Sequence, residues 1–370
     1  MNLPEISAAA IFHMPRAPFE IRELQVPLLK PGQILVEIQL CTICGSDLHT
    51  FDGRRNSPSP SILGHEMVGR LIWPNNVVDG LGNPLRAGER LIWSLTAACG
   101  GCFFCNSDLP QKCESLQKYG HNAITASWPL SGGFAEYCVL LPESFFLKVP
   151  DQISDAVAAP ATCSTATVFA AIAAAGSVKS KTVIIMGAGM LGQTACAMLE
   201  SAGATTIIAA DANLERGRRA GAFGAKYTLD PSMSERDFTQ CVRDYTNGFG
   251  VDIALDFSGA NDAIRRAIKV LRPAGTCLLV GSVYPQPADT LHYEDIVRRM
   301  LILRGIYNYA PIDLIGAVDF LLSHSHRYPF EQLVGRTFPL RQADQAFKLA
   351  GEVGAPFRVG IAPTLRDGQP

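Results

Sequence analysis

Four cysteines that lie close together in the chain offer a complete set of soft metal ligands. Their spacing is C-x2-C-x2-C-x7-C, and two glycines after the first cysteine let the backbone turn sharply. Four thiolates complete the tetrahedral coordination of zinc and leave no open position, so such a site is structural. An iron–sulfur cluster and four unrelated thiols are the alternatives. The predicted ligands of the structural zinc are Cys99, Cys102, Cys105 and Cys113.

A glycine-rich segment predicts a nucleotide site. Gly187, Gly189 and Gly192 form a G-x-G-x-x-G motif that follows the apolar run Val183–Met186 and precedes a helical stretch. This strand–loop–helix context is the one that a dinucleotide-binding fold requires. The first glycine allows the tight turn, the second lets the backbone approach a pyrophosphate, and the third lets the helix pack closely on the strand.

Asp211, at the end of the next predicted strand, indicates which dinucleotide binds. Its carboxylate can accept hydrogen bonds from the adenosine ribose and would repel a 2′-phosphate, so NAD is favoured over NADP. Three arginines follow, at Arg216, Arg218 and Arg219. Because arginines also bind phosphate, NADP stays the alternative.

Three further potential metal ligands are scattered over the sequence. Cys44 begins the segment C-G-S-D-L-H, His65 is followed by Glu66, and Cys163 comes much later. Alone, each of the three has an ordinary interpretation as a buried cysteine or a core histidine. Together they supply two sulfurs and one nitrogen, the set known from the catalytic zinc of alcohol dehydrogenase.

These motifs together resemble those of the zinc-containing medium-chain alcohol dehydrogenases, over nearly the whole chain. The resemblance implies that Cys44, His65 and Cys163 hold a catalytic zinc whose fourth position takes water or substrate. It implies that Asp47 orients His65 through its other ring nitrogen. Glu66, beside the ligands, is either a buried, paired carboxylate or an occasional ligand during water exchange. The cofactors that the resemblance implies are NAD and two zinc ions per subunit, one catalytic and one structural.

The same resemblance assigns roles in proton transfer and cofactor binding. Ser46 would accept the proton of the alcohol, and His49 would pass it on through ribose hydroxyls. Arg216 would lie near the adenosine ribose, and Arg358 near the pyrophosphate, although Arg358 could also be a solvated surface arginine. From the sequence alone, Ser46 and His49 can also be ordinary turn residues.

The expected substrate is a small alcohol or aldehyde. The segments Asp47–Ser61 and Pro160–Thr167 are similar to those of bacterial dehydrogenases associated with phosphonate breakdown, which implies a small anionic alcohol. Arg54 and Arg55 could bind such an anion, or they could belong to a solvated loop. The candidate residues lining the pocket are Phe51, Trp128 and Tyr307.

The elements that must position these residues fall into two groups. Residues up to Val149 contain short apolar runs such as Ile34–Leu40, separated by Pro/Gly turns, which predicts strands. After Ala166, apolar strands such as Thr182–Met186 and Thr206–Ala210 alternate with helices, which predicts a parallel, doubly wound sheet. With the resemblance, the expected fold is α/β, with a β-rich GroES-like catalytic zinc-binding domain (1–164), a Rossmann NAD-binding domain (165–305) and a C-terminal return to the catalytic domain (306–370).

Composition limits the partners and the location. The 370 residues carry a formal net charge of -2 without a long block of one sign, which argues against nucleic acid or an anionic membrane as a partner. The apolar stretch 156–176 is rich in alanine and threonine, so a buried helix is expected rather than a membrane span. Eleven cysteines in a long chain without a cationic start indicate a cytoplasmic protein. The short span between Cys113 and Gly133 is similar to that of bacterial tetrameric relatives, so we expect a homo-oligomer, a tetramer or a dimer.

Two other functions are compatible with parts of the sequence. A zinc-free reductase of the same superfamily, acting on enones or quinones, would share the nucleotide motif but has no use for Cys44, His65 and Cys163. A nucleotide-binding structural protein could keep both sites and lack turnover, although intact Ser46 and His49 argue against it.

Overall fold

The computed structural model describes residues 3–365 and divides them into two compact units. The first unit contains the described residues up to Cys163, together with Ala310–Ser325 and the described residues from Phe330 onward. The second unit contains Ser164–Tyr309 and His326–Pro329. The chain therefore leaves the first unit and returns to it in its C-terminal part.

The first unit is rich in β-structure. Its strands are β1 (Ile6–Phe12), β2 (Glu20–Gln25), β3 (Ile34–Thr42), β4 (Ser61–Ile62), β5 (Glu66–Trp73), β6 (Asn76–Val78), β7 (Pro84–Arg86), β8 (Arg90–Ala97), β9 (Gln117–Lys118), β10 (Tyr137–Leu140), β11 (Ser144–Lys148), β18 (Val334–Pro339) and β19 (Arg358–Ala362). Its helices are α1 (Gly45–Phe51), α2 (Phe103–Asn106), α3 (Asp155–Pro160), α10 (Pro311–His324) and α11 (Ala343–Ala350).

The main sheet of this unit runs in the order β11-β8-β5-β3-β19-β18, with β10 also paired to β3 and β9 to β8. Smaller sheets are formed by β2-β1-β4 and by β6-β7. Apolar side chains such as Ile38, Leu71, Trp93 and Phe134 are buried in one core. The antiparallel register of β3 and β5 places Thr42 opposite Glu66, so the residues of the candidate site gather where these two strands meet.

The second unit alternates strands and helices. Its strands are β12 (Thr182–Met186), β13 (Thr206–Ala210), β14 (Tyr227–Leu229), β15 (Val251–Asp256), β16 (Leu271–Leu279) and β17 (Ile302–Gly305). Its helices are α4 (Ala166–Ala175), α5 (Met190–Ser201), α6 (Leu214–Ala220), α7 (Glu235–Tyr245), α8 (Asn261–Val270) and α9 (Tyr293–Arg299).

All six strands of this unit are parallel, in the order β14-β13-β12-β15-β16-β17. In this doubly wound order, the chain starts at the central strand β12 and adds β13 and β14 on one side. It then crosses over and adds β15, β16 and β17 on the other side. The central strands are buried along almost their whole length, which explains why their sequences are continuous apolar runs. The predicted fold class, a GroES-like β-rich part with a Rossmann part, is confirmed.

The stretch Asp155–Ala175 is one continuous helical segment that contains α3, a π-helical turn at Ala161–Thr165 and α4. By length and composition alone it could cross a membrane. Two thirds of its apolar window is buried inside the structure (67%), which agrees with the predicted buried helix.

Candidate active site

The first metal-ligand candidate, Cys44, occupies the N-cap of α1. Its backbone N–H donates to Oδ2 of Asp47 at 2.9 Å, the return bond of a capping box. The other carboxylate oxygen of Asp47 accepts from the backbone N–H of Gly64 at 3.3 Å. Asp47 therefore ties the start of α1 to the segment that carries His65.

His65 immediately precedes β5 and is buried, at 1% exposure. Its Nδ1 lies 3.2 Å from Oδ1 of Asp47, an ion-pair distance without the alignment of a good hydrogen bond. Its Nε2 lies 3.2 Å from Oγ of Ser46. The two ring nitrogens thus face different partners, and Nε2 is the one available to a metal.

Cys163 lies in the π-helical turn that follows Pro160. Single π turns inside α-helices are frequent at functional sites because they redirect one side chain. The adjacent Thr162 hydroxyl donates to the carbonyl of His65 at 3.2 Å, and it accepts from the backbone N–H of Met67 at 3.2 Å. These bonds hold the turn against the start of β5, and so bring Cys163 to His65.

The donor atoms of Cys44, His65 and Cys163 all lie within 4.8 Å of one another. Zinc–ligand bonds of 2.0–2.3 Å in tetrahedral geometry put ligand atoms about 3.5–3.8 Å apart, so small inward shifts would complete a zinc site. A hydrogen bond from Cys163 and the positive charge of Arg358 hold the pKa of the Cys44 thiol well below its usual range. The residues therefore fit zinc both in chemistry and in spacing.

Glu66 does not belong to this group of donor atoms. Its oxygens accept from Nε and Nη2 of Arg358 at 2.6 and 2.8 Å, and the hydroxyl of Thr42 donates to Oε2 at 2.6 Å. Both partners of the ion pair are buried. Burial raises the pKa of Glu66 to about 7, although the charge of Arg358 opposes the rise. A role for Glu66 as an occasional ligand stays a prediction.

Arg358 is placed at the metal site of the first unit. Besides its pair with Glu66, its Nη2 lies 3.7 Å from Sγ of Cys44. The sequence did not predict this pair, because 292 positions separate its two members. A contact between Arg358 and a pyrophosphate stays a prediction.

The four clustered cysteines also converge. Their sulfur atoms lie within 4.8 Å of one another, those of Cys102 and Cys105 are 3.5 Å apart, and the backbone N–H of Cys99 donates to Sγ of Cys113 at 3.3 Å. Cys102 is the N-cap of the short helix α2, and Gly100 adopts a positive φ of 72° that sharpens the turn. Four sulfurs without an oxygen or nitrogen donor fit a closed zinc site.

The glycine motif connects β12 to α5 as the sequence predicted. Gly187 has a φ of 95°, and a Cβ on Gly192 would lie 2.1 Å from the carbonyl oxygen of Gly187, so no other residue fits there. A Cβ on Gly189 would meet nothing within 4 Å, so this residue borders open space at the start of the helix. The exposed start of a helix, with its free N–H groups, can bind a phosphate.

Asp211 follows the last residue of β13. Its Oδ2 accepts from the backbone N–H of Ala188 at 2.7 Å, and its Oδ1 accepts from that of Asn213 at 2.7 Å. The carboxylate therefore sits directly beside the glycine loop. The carbonyl of Arg216 accepts from the buried side chain of Gln193 at 2.9 Å, which ties α6 to α5.

Two residues that the sequence indicated as pocket lining, Phe51 and Trp128, pack in or against the core of the first unit. Trp128 is 5% exposed, and its indole N–H donates to the carbonyl of Val139 at 2.8 Å. Phe51 packs against Phe19 and Phe347, with ring centroids 5.6 and 5.2 Å away. An aromatic residue near a metal motif serves a core as readily as a pocket, so a role of either residue in lining the substrate pocket stays a prediction.

Comparisons with known proteins agree with the zinc sites and the nucleotide-binding fold described above. The family model described as "Alcohol dehydrogenase GroES-like domain" matches residues 30–151, and the one described as "Zinc-binding dehydrogenase" matches residues 191–323. The chain is 30% identical to an L-threonine 3-dehydrogenase of Pyrococcus horikoshii over 294 residues, which cover 78% of this chain and 79% of that protein. It is 28% identical to a sorbitol dehydrogenase of Halalkalibacterium halodurans over 350 residues, covering 93% and 96%.

The fold is also found among solved structures. The crystal structure of an alcohol dehydrogenase from Thermotoga maritima is similar with a TM-score of 0.90 and 30% sequence identity, and the match covers 96% of this chain and 99% of that one. The chain therefore belongs to the zinc-dependent medium-chain alcohol dehydrogenase family.

Proposed function

We propose that this protein is an NAD-dependent zinc alcohol dehydrogenase, which transfers a hydride between a small alcohol and NAD. The observation that carries the proposal is the convergence of the donor atoms of Cys44, His65 and Cys163 within 4.8 Å. Two thiolates and one imidazole leave one tetrahedral position for a ligand from outside the protein, which is the pattern of a catalytic zinc. The related L-threonine and sorbitol dehydrogenases act on different alcohols by name, so they support the reaction class and leave the substrate open.

These three residues would hold the catalytic zinc, and Cys99, Cys102, Cys105 and Cys113 would hold the structural one. When bound, the catalytic zinc supplies Lewis acidity, which makes an alcohol hydroxyl a stronger acid and so a better hydride donor. Asp47, beside Nδ1 of His65, keeps Nε2 directed at the metal position.

Ser46 and His49 would carry the proton away. The Ser46 hydroxyl lies 3.2 Å from Nε2 of His65, so it borders the position of a ligand that zinc would bind. His49 is three residues further along α1, on the same side of the helix. Burial and the positive charge of Arg54 lower the pKa of His49, so its ring is neutral at pH 7 and able to accept a proton.

The glycine loop and Asp211 would bind NAD. Gly189 borders open space at the start of α5, where a pyrophosphate could approach the backbone. The carboxylate of Asp211 adds a negative charge beside this loop, which favours ribose hydroxyls over a 2′-phosphate. Arg216 on α6 and Arg358 are proposed as further cofactor contacts.

Purified zinc-replete protein is expected to contain two zinc ions per chain and to form NADH when it is given a panel of small alcohols. One zinc ion with NADPH- or NADH-dependent enone reduction would instead indicate the zinc-free reductase. Bound NAD with no turnover on the whole panel would indicate a non-catalytic protein. Metal analysis and absorbance at the NADH band distinguish the three.

The same assay tests the choice of cofactor. We expect kcat/KM for NAD to exceed that for NADP, since like charges that are brought together cost several kcal/mol. The variant Asp211→Asn removes the charge but keeps an oxygen that can accept from Ala188 N–H. It should move the NAD:NADP ratio toward NADP by about tenfold or more, since each 1.4 kcal/mol is a factor of ten. A wild-type protein that prefers NADP would contradict the assignment.

We also propose a cytoplasmic homo-oligomer, a dimer or a tetramer. Strand β17 pairs with β16 on one side, and within residues 3–365 no strand pairs with its other side. Ile302 on this strand and the nearby Val297 and Met300 are exposed, and an apolar open edge favours a second copy of the chain. A single-chain mass in light scattering would contradict the oligomer.

The cytoplasmic location is supported by the cysteines. All eleven are free of disulfide bonds, which is typical of a reducing compartment.

A further inference from the structure

We propose that Gln193 is a positioning residue for the cofactor, which holds the glycine loop and the start of α6 at the spacing that the adenosine half of NAD requires. The inference rests on the proposed dehydrogenase function, because it concerns the site that would bind NAD. It is carried by hydrogen bonds among residues of the second unit.

Gln193 lies in the first turn of α5, directly after the glycine motif. Its side chain is fully buried, and its backbone N–H donates to the carbonyl of Gly189 at 2.9 Å. Its side-chain amide nitrogen donates to the carbonyl of Ala188 at 2.8 Å and to that of Arg216 at 2.9 Å. Because carbonyl oxygens only accept, these two partners also fix which end of the amide is the nitrogen. One side chain therefore joins two separate segments of backbone.

These two segments are the ones that the proposed cofactor site uses. Strands β12 and β13 are parallel neighbours that end at Met186 and Ala210, so the segments that follow them leave the sheet side by side. Ligands of an open parallel sheet bind in the crevice beyond such strand ends. The N–H of Ala188 donates to Asp211 at 2.7 Å, and its carbonyl accepts from Gln193. Gln193 therefore supports the crevice from within the protein, without contact with a molecule bound there.

Apolar burial does not fix the start of α6. None of residues 214–216 is buried, and Leu214 is 49% exposed. The side chain of Asn213 caps the helix by accepting from the N–H groups of its first turn, but this cap is local to α6. The bond from Gln193 to the carbonyl of Arg216 connects this turn to another element. The amide of Gln193 therefore contributes directly to the spacing between α6 and the glycine loop.

The other end of the amide shows that packing alone does not explain this residue. Oε1 of Gln193 is buried and has no hydrogen-bond partner within residues 3–365. A buried acceptor without a partner is costly, whereas a methionine would fill a similar volume without that cost. The equally buried Thr194 avoids this cost, because its hydroxyl donates to the carbonyl of Met190 in its own helix. The amide of Gln193 is therefore explained by the two carbonyls that it joins.

Binding of ADP-ribose measures this role apart from catalysis, since ADP-ribose shares the adenosine and pyrophosphate of NAD and has no nicotinamide. In calorimetry, Gln193→Met should weaken ADP-ribose binding by about 5- to 30-fold, since each neutral hydrogen bond corresponds to about a factor of five. Gln193→Asn keeps the amide but is one carbon too short to join both carbonyls, so a loss of about fivefold is expected. The affinity for NAD should fall by the same factor in each variant.

Turnover distinguishes a positioning role from a merely structural one. In Gln193→Met, KM for NAD should rise, while kcat at saturating NAD and KM for the alcohol should stay within about twofold of wild type. A structural defect would instead lower Tm and reduce kcat at every NAD concentration. If Gln193→Met does not fold, Gln193→Asn provides the same comparison.

The matched control is Thr194→Val, at the next position of α5. It removes one buried hydrogen bond that stays within the helix, so it should lower Tm without changing the affinity for ADP-ribose. An equal loss of ADP-ribose affinity in Thr194→Val and Gln193→Met would mean that any damage to α5 has this effect, and the positioning role would be wrong.

The outcomes separate this inference from the function on which it rests. If the wild type and both Gln193 variants bind ADP-ribose equally, the positioning role is wrong, whether or not the enzyme oxidises an alcohol. If the variants bind ADP-ribose more weakly but the wild type forms NADH from no alcohol, the dehydrogenase proposal is wrong and the role of Gln193 stands. A wild-type protein that does not bind ADP-ribose overturns both.

Discussion

Replacing Cys163 by alanine is expected to abolish turnover while the protein stays folded. The change removes one of three protein ligands from an open metal site, and two ligands hold zinc poorly at that position. Lewis acidity is worth several kcal/mol of transition-state stabilisation, and each 1.4 kcal/mol is a factor of ten. We therefore expect kcat to fall on the order of 1000-fold or more, with zinc content reduced from two ions per chain to one.

The fold should tolerate this change because other contacts hold the π-helical turn. Thr162 keeps its bonds to the carbonyl of His65 and the N–H of Met67, and neither involves the sulfur of Cys163. The matched control is Cys241→Ala on α7, a free cysteine of similar exposure outside both ligand sets, which should leave kcat and zinc content unchanged. Near-normal kcat in Cys163→Ala would show that the catalytic zinc has been assigned to the wrong residues.

The two zinc sites differ in how far the sequence alone could predict them. Cys99 and Cys113 are the ends of a short loop, so their spacing in the sequence already requires the four ligands to be close in space. The structure brings all four sulfurs together. Cys44, His65 and Cys163 are spread over about 120 positions, and only a fold can make them neighbours. Their grouping was therefore predicted from family resemblance. In the structure, hydrogen bonds of Asp47 and Thr162 hold the segments that carry the three ligands close together.

The Rossmann strands were the most predictable elements. Thr182–Met186 and Thr206–Ala210 have the same bounds in sequence and structure, because a parallel strand that is buried on both faces is a continuous apolar run. Helix α7 has a weaker signal, because it is amphipathic: Phe238 and Val242 are buried, Cys241 and Tyr245 pack against the same core, and its other residues are polar. Apolar residues spaced among polar ones mark an element less sharply than a continuous run, and the sequence did not delimit this helix.

Long-range polar contacts could not be predicted from the sequence, for a different reason. The pair of Arg358 with Glu66 and the contact of Arg55 with His121 each join a charged residue to a partner far along the chain. No periodicity or spacing marks such a partner. The hydrogen-bonded positions emerge only when strands β3, β5, β9 and β19 are assembled into one sheet.

Replacing Cys102 by alanine is expected to destabilise the protein rather than to stop its chemistry directly. The loop around the four cysteines contains only one turn of helix, α2, and Phe103 within it is 71% exposed, so little apolar burial holds it. A structural zinc contributes on the order of 10 kcal/mol to the order of such a segment. Loss of one thiolate should remove the ion and lower the free energy of unfolding by several kcal/mol.

Thermal unfolding and metal analysis together check this prediction. Each kcal/mol corresponds to about 2–4 °C in proteins of about 150–250 residues and to less in a longer chain, so a fall in Tm of about 5 °C or more is expected, with zinc reduced to one ion per chain. Cys105→Ala should behave in the same way, because its sulfur lies 3.5 Å from that of Cys102 in the same closed set, whereas Cys241→Ala should not. Two zinc ions and an unchanged Tm in Cys102→Ala would contradict a structural zinc. Iron in place of zinc in the wild-type protein would favour a cluster instead, since the same four sulfurs can serve either metal.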